Sequence, residues 1–189
     1  MFDNPYKTKA EEVLRECNGK AILLCILFSV INSVAASILW GLGGLVASGI
    51  LSYGLSYAFL NVVRHRDLEL GDLFEGIKTN PLNNIFSGLL VSLMVTLYTM
   101  LLIVPGIIKS YAYTMVFYVL NDNPELGPLD ALHESERIMD GHKMEFFMVQ
   151  LSFIGWILLT LITFGIAGFW LVPRMEAAKA AFYEDIKHR

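Results

Sequence analysis

The sequence predicts an all-α polytopic membrane helical bundle of about six transmembrane helices, arranged as three hairpins with short amphipathic cytoplasmic helices. Three observations predict it. Of the 189 residues, 55% are hydrophobic and only 17% are charged, with a mean hydropathy of +0.54, which lies outside the usual range of soluble domains. Two long stretches carry no Asp, Glu, Lys or Arg: 43 residues from Ala21 to Val63 and 19 from Ile85 to Ile103, against the roughly 20 residues that one spanning helix needs. The basic residues collect in the polar segments between the apolar runs. The same composition excludes other classes. With 14 Lys+Arg against 18 Asp+Glu and a net charge of -4, the chain has no basic field to hold a nucleic acid. Cys17 and Cys25, eight residues apart, make neither a disulfide framework nor a metal knuckle.

The elements follow in order within one integral membrane domain over 1–189. Residues 1–20 read as an interfacial N-terminal helix, with Thr8 and Glu11 in capping-box spacing and Val13, Leu14 and Cys17 on an apolar face. The charge-free run that follows is long enough for two spans, about 21–40 and 44–63, turning at the Gly41-Leu42-Gly43-Gly44 cluster. No small-residue cleavage site follows the first apolar core, so it is expected to be retained. A charged segment leads to a third span at 85–103. Val104-Pro105-Gly106 is expected to turn the chain into a shorter fourth span at 107–120, interrupted only by Lys109. Gly127-Pro128 opens a helix that Gly141 ends. The fifth span covers 146–164 and the sixth 166–183.

The sixth span rests on charge placement. Only seven apolar residues, Ile166 to Val172, run before Pro173, Arg174, Glu176 and Lys179, so hydropathy alone merges 146–172 into one tilted span. Six spans instead place Lys7, Lys9, Arg15, Lys20, Arg64, Arg66, Lys78, Arg137, Lys143, Arg174, Lys179, Lys187 and Arg189 in or beside cytoplasmic segments and leave only Lys109 near the outer turns. Both termini are then cytoplasmic, in a plasma-membrane protein. A pattern of apolar helix, Gly-containing turn and aromatic helix recurs three times and agrees with three hairpins. Small residues at helical spacing, such as Ser48, Ser52 and Ser56 or Gly88 and Ser92, read as close helix packing.

Few residues invite chemistry. His133, Glu134 and His142 suggest a metal hydrolase, but a second His should stand four residues after the first to share a helix face, and position 137 is Arg. The expectation is no metal and no cofactor. No phosphate loop, nucleophile elbow or Cys/His pair is present, so no catalytic residue is assigned and the protein is expected not to be an enzyme. The oddity is the charge of the sixth helix. At about 1.5 Å per residue from Gly165, Arg174 lies roughly 13 Å deep and Lys179 roughly 21 Å. Charges at such depth face a partner or water. Glu176 and Lys179 are spaced to pair with each other, while Arg174 needs another partner, either a neighbouring helix or an anionic headgroup. Arg174, Glu176 and Lys179, with Lys109 and Tyr111 of the fourth span, are the candidate ligand-binding residues.

Several motifs resemble a known family. Pro105-Gly106-Ile107-Ile108-Lys109-Ser110-Tyr111-Ala112-Tyr113 is followed by Asp122-Asn123-Pro124, by Ser135 and Met139 before Gly141-His142-Lys143, by Leu151-Ser152-Phe153-Ile154-Gly155-Trp156 and by Ala180-Ala181-Phe182-Tyr183. Together they resemble a family of bacterial integral membrane proteins of unknown function (domain of unknown function 975), over nearly the whole chain. The resemblance implies a multi-pass protein of the bacterial cytoplasmic membrane, common in Gram-positive lineages, with no established activity and no site residues to carry over. An aromatic often follows the family's equivalent of Pro173, whereas this chain has Arg174. The favoured function is non-enzymatic binding of membrane lipid, an amphipathic peptide or a membrane-protein partner, which includes a second copy. The alternative is a small transporter or transporter subunit, which needs a midplane site.

Overall fold

The computed structural model describes residues 5–15, 17–38, 42–64, 67–163 and 165–187. Gly41 of the first expected turn, Phe164 at the end of the fifth expected span, and Arg66 and Arg189 among the basic flanks lie outside the described residues. Among the described residues all regular structure is helical: α1 Pro5–Leu14, α2 Asn18–Ile38, α3 Leu42–Val63, a 3-10 turn Leu70–Phe74, α4 Glu75–Lys78, α5 Pro81–Leu101, α6 Ile103–Ala112, α7 Val116–Asp122, α8 Pro128–Met139, α9 Lys143–Leu151, α10 Ile154–Ile162 and α11 Gly168–Ile186.

Three helices are long and apolar enough to cross a membrane, within α2 (Asn18–Ser37), α3 (Val46–Val63) and α5 (Pro81–Leu101). The bent pair α9 and α10, which meet at 43°, makes a fourth if counted as one span. The stretch expected as a fourth span, 107–120, is broken. After Ala112 the chain takes short backbone bonds from Thr114 N–H to Tyr111 O and from Val116 N–H to Tyr113 O, and the Ser135 hydroxyl donates to the Ala112 carbonyl at 2.7 Å. A carbonyl engaged by a side chain from another helix lets the ladder break there. The α9–α10 bend has a related cause, because the Ser152 hydroxyl turns back to Val149 O at 2.6 Å. The α11 helix carries Arg174, Glu176, Lys179, Glu184 and Asp185 and is not among the apolar helices.

Two local expectations are corrected. The chain turns at Leu102, which is extended, and Pro105 and Gly106 sit in the first turn of α6 rather than forming the turn. Pro fits there because a first-turn N–H has no helical partner to lose, and Gly106 lets α6 fold back against Thr99. Thr8 lies inside α1, which already includes Pro5, so it does not cap the helix; the buried face is Tyr6, Ala10 and Leu14.

The centre of the fold is α3. Of its apolar window 67% is buried, against 17% for α2 and 11% for α5, so the other elements pack around it: α2, α5, α7, α11, the 3-10 turn and α4. Glycine makes two of these approaches possible. Gly54 takes the Leu73 backbone directly against α3, and Gly49 faces Gly88 and the Asn84 carbonyl of α5. The largest fully buried side chains include Phe59, Met115, Met139, Phe146, Phe153 and Phe182, drawn from α3, α8, α9 and α11 and from the chain just before α7 and α10. The half of the bundle away from Arg64 exposes many apolar residues: Val30 and Val34 on α2, Leu93, Leu97, Met100 and Leu101 on α5, Leu158, Leu161 and Ile162 on α10 and Trp170 on α11; Leu82 and Phe86 of α5, Leu129 of α8 and Met144 of α9 are exposed outside it.

Gly155 gives a simple test of the exposed half. It lies in α10 with no atom near its missing Cβ, so Gly155→Ala is expected to stabilise the protein by about 0.5–1 kcal/mol, the usual helix-interior difference. A lower melting temperature than wild type in the same detergent would contradict the open surroundings.

Candidate functional site

The ends of three helices converge on an ion-paired cluster. Arg64 follows the last residue of α3, Asp122 ends α7, Tyr183 and Glu184 belong to the last turn of α11, and Lys187 directly follows it. Arg64 donates through Nη2 to both oxygens of Asp122, at 2.7 and 3.0 Å, and through Nε to Glu184 at 2.7 Å. Lys187 reaches Asp122 at 3.1 Å and Glu184 at 2.9 Å. The Tyr183 hydroxyl also donates to Asp122, at 3.0 Å, and its ring stacks on Tyr118 with centroids 5.4 Å apart. Two cations and two carboxylates thus close a neutral ring. Burial alone would raise the Asp122 carboxyl, but the hydrogen bonds from Arg64 and Lys187 outweigh it and hold Asp122 below the usual carboxylate range. Burial likewise opposes the charge on Arg64, while the bonds to Asp122 and Glu184 raise its affinity for its proton.

A second cluster clasps α1 to the same end. Tyr6 places its hydroxyl 2.7 Å from Asp185 of α11 and 3.0 Å from Glu145 of α9, and its ring meets Phe182 edge-on at 5.1 Å. Burial, and then the two carboxylates, push the Tyr6 hydroxyl above its ordinary range. His142 approaches Glu145 at 3.2 Å.

The candidate residues from the sequence fall into two separate groups. On α11, Glu176 and Lys179 pair at 2.7 Å, with Cys25 of α2 and Tyr118 of α7 in electrostatic reach. Arg174 packs its guanidinium over the Trp156 ring of α10, 5.1 Å from the centroid, and donates to Trp170 O at 3.1 Å. Its neighbouring-helix partner is therefore aromatic. On α6, Lys109 pairs with Glu136 of α8 and lies over Tyr98 and Tyr113 at 5.3 and 5.6 Å. Tyr111 donates to Gln150 at 3.2 Å and packs on Phe146. Lys109, assigned to the outer turns, instead touches the segment assigned to the opposite side.

On α8, Leu132 and Met139 are buried and Leu129 is exposed. His133 is exposed, and among the described residues no group of three or more His, Cys, Asp or Glu is placed to hold a metal. The Arg64–Asp122–Glu184–Lys187 ring was missed. Part of its signal was present: Arg64 and Glu184 stand directly after apolar runs and Asp122 one residue beyond one, where a charge served only to mark a span end.

The fold and site define a class: an all-helical protein with membrane-length apolar helices and an ion-paired end. Residues 82–189, more than half of the chain, match the family described as protein of unknown function (DUF975), and the chain belongs to that family. The match begins in α5, so α1 to α4 lie outside it and the resemblance is shown for less of the chain than the sequence motifs implied. No curated protein and no solved structure matches the chain.

Proposed function

We propose that this is a non-enzymatic multi-pass protein of the bacterial cytoplasmic membrane that binds membrane lipid, an amphipathic peptide or a membrane-protein partner. The supporting observation is the segregation of surfaces. Exposed Leu93, Leu97, Met100, Leu161 and Ile162 occupy one half, and the Arg64 ring and Tyr6 clasp occupy the other. A bilayer accommodates the first half and water the second. In this reading the chain crosses six times as three hairpins, with both termini and the ion-paired end on the cytoplasmic side, because the basic residues collect there. Tags at both termini and single cysteines at Gly106 and Gly165 test it. Cytoplasmic termini with both cysteines reactive from outside are expected, and an external C-terminal tag overturns six spans.

Arg174 is the contact through which an anionic lipid headgroup is held. One of its five N–H donors is spent on Trp170 O, and the Trp156 ring supports its flat face without neutralising its charge. In particles that retain native lipid, Arg174→Gln is expected to lose anionic lipid relative to wild type. Unchanged lipid and unchanged co-purifying protein would make Arg174 a purely structural contact. Binding without transport is favoured because Glu176 and Lys179 already satisfy each other.

A further inference from the structure

Two cations from opposite ends of the chain meet where α10 begins. Lys7 of α1 holds its ammonium over the Phe153 ring, 5.8 Å from the centroid, and Arg174 of α11 holds its guanidinium over the Trp156 ring at 5.1 Å. Phe153 leads into α10 and Trp156 lies in its first turn, a spacing of three residues that makes side chains neighbours on a helix. Among the described residues neither Lys7 nor Arg174 is ion-paired. Tyr6, not Lys7, is the residue of α1 that meets the carboxylates of Asp185 and Glu145. An aromatic ring attracts a cation by roughly 0.5–2 kcal/mol but carries no net charge, so both charges remain uncompensated.

Both cations stand at the rim of the exposed apolar surface. From Ile154 onward no residue of α10 is buried, and Ile154 and Leu158 are more than half exposed. On α11 the exposed apolar residues Phe169, Trp170 and Val172 stop just before Arg174, and beyond it Ala177, Ala178, Ala180 and Ala181 are buried in the protein. On the other side of the rim, α1 exposes Thr8, Lys9, Glu11 and Glu12. Polar and apolar surfaces therefore meet at Lys7 and Arg174, with two aromatic rings beneath them, which is the composition of a membrane interface. The donors are also in place: an ammonium offers three N–H groups and a guanidinium five, of which Arg174 gives one to Trp170 O. The anionic, hydrogen-bond-accepting group that a bilayer presents at such a rim is the phosphate of its lipids.

We infer that Lys7 and Arg174 are the two arms of one site for the phosphate of an anionic lipid headgroup, with Phe153 and Trp156 as its floor. This rests on the headgroup reading of Arg174 above and adds to it a second cation and the helix that carries it. Two cations on one phosphate engage more of its oxygens than one can, through charge-assisted hydrogen bonds. Because Lys7 belongs to α1 and Arg174 to α11, the bound headgroup ties the N-terminal helix to α10 and α11. Anionic lipid thereby strengthens the docking of α1, and by linkage a docked α1 strengthens the hold on lipid.

The test is a titration of the purified protein in neutral detergent with phosphatidylglycerol, with phosphatidylcholine of the same acyl chains and with inorganic phosphate. The readout is the rise in melting temperature of each variant above its own lipid-free value. Wild type is expected to respond to phosphatidylglycerol at a concentration at least about tenfold below that needed of the other two. Lys7→Gln and Arg174→Gln should each weaken the response about tenfold or more, the usual loss of a hydrogen bond to a charged group. The double variant should lose less than the product of the two, since both arms act on one phosphate. Lys7→Arg should retain the response, and Lys9→Gln, exposed on the same helix, should leave it unchanged. If Lys7→Gln titrates as wild type while Arg174→Gln does not, the second arm is overturned and the headgroup reading of Arg174 stands. If neither single variant changes the titration, both readings fail. Losses that multiply in the double variant mean two separate sites and overturn the single one. An equal response to inorganic phosphate makes the ligand a free anion and overturns the lipid.

Discussion

Asp122→Asn is expected to destabilise the ion-paired end by about 2–3 kcal/mol. Removing one member of a buried charge pair costs about 3–5 kcal/mol because its partners are left uncompensated. The four charged side chains here are 16–29% exposed, so water recovers part of that cost. The substitution nearly preserves shape but leaves Arg64 and Lys187 sharing Glu184 alone. Its pH dependence identifies the cause. A carboxyl whose folded value is depressed contributes stability that is fully present above its unfolded value, roughly 3.9, and lost as pH falls through the folded value. The gap between wild type and Asp122→Asn, read as melting temperature in detergent, should therefore be widest at neutral pH and close as the medium is acidified below about pH 4. A gap that is constant with pH would mean that packing, and not charge, is lost.

Gly54→Ala is expected to cost at least about 1–3 kcal/mol, the usual penalty of forcing a methyl group into a packed site. The added Cβ would meet the carbonyl oxygen, carbonyl carbon and Cα of Leu73. These are backbone atoms that cannot rotate aside, so the 3-10 turn must lift from α3 and expose Leu73, which is fully buried. Limited proteolysis reads this directly, as faster cleavage between Asp67 and Thr79. Wild-type melting and wild-type cleavage together would show that the turn does not press on α3.

The long apolar helices were legible because their signal is additive. Each residue from Ala21 to Val63 adds to the same hydropathy sum, and α2 and α3 occupy that run. The break at Tyr113 was not legible, because residues 110–120 carry no charge and no Gly or Pro; what interrupts the ladder is the Ser135 hydroxyl, 23 positions away in sequence from Ala112. The same distance effect hid the charged ring. Arg64, Asp122 and Glu184 were each visible at the end of an apolar run, but hydropathy carries no information on which run ends meet. Lys109 shows the opposite error: counting it as a solitary outer charge was reasonable along the chain, yet Glu136 stands beside it in space. Within α11 the pairing of Glu176 with Lys179 was foreseeable, since three residues on one helix set it locally. The aromatic support of Arg174 by Trp156 was not, because it depends on how α10 folds back.

The contact of Tyr6 with Asp185 joins positions 179 residues apart, and α11 also packs on α2 and α3. During synthesis α1, α2 and α3 therefore leave the ribosome well before the helix that completes their surroundings. At roughly 5–20 residues per second the wait lasts on the order of ten seconds or more. Throughout it the Arg64 guanidinium has neither Glu184 nor the Lys187–Asp122 bridge to close its ring, and the buried face of α1 has no α11 to rest on. Assembly is governed by the late arrival of one helix, which makes the nascent chain dependent on whatever holds its earlier helices apart from other exposed apolar surfaces until α11 docks.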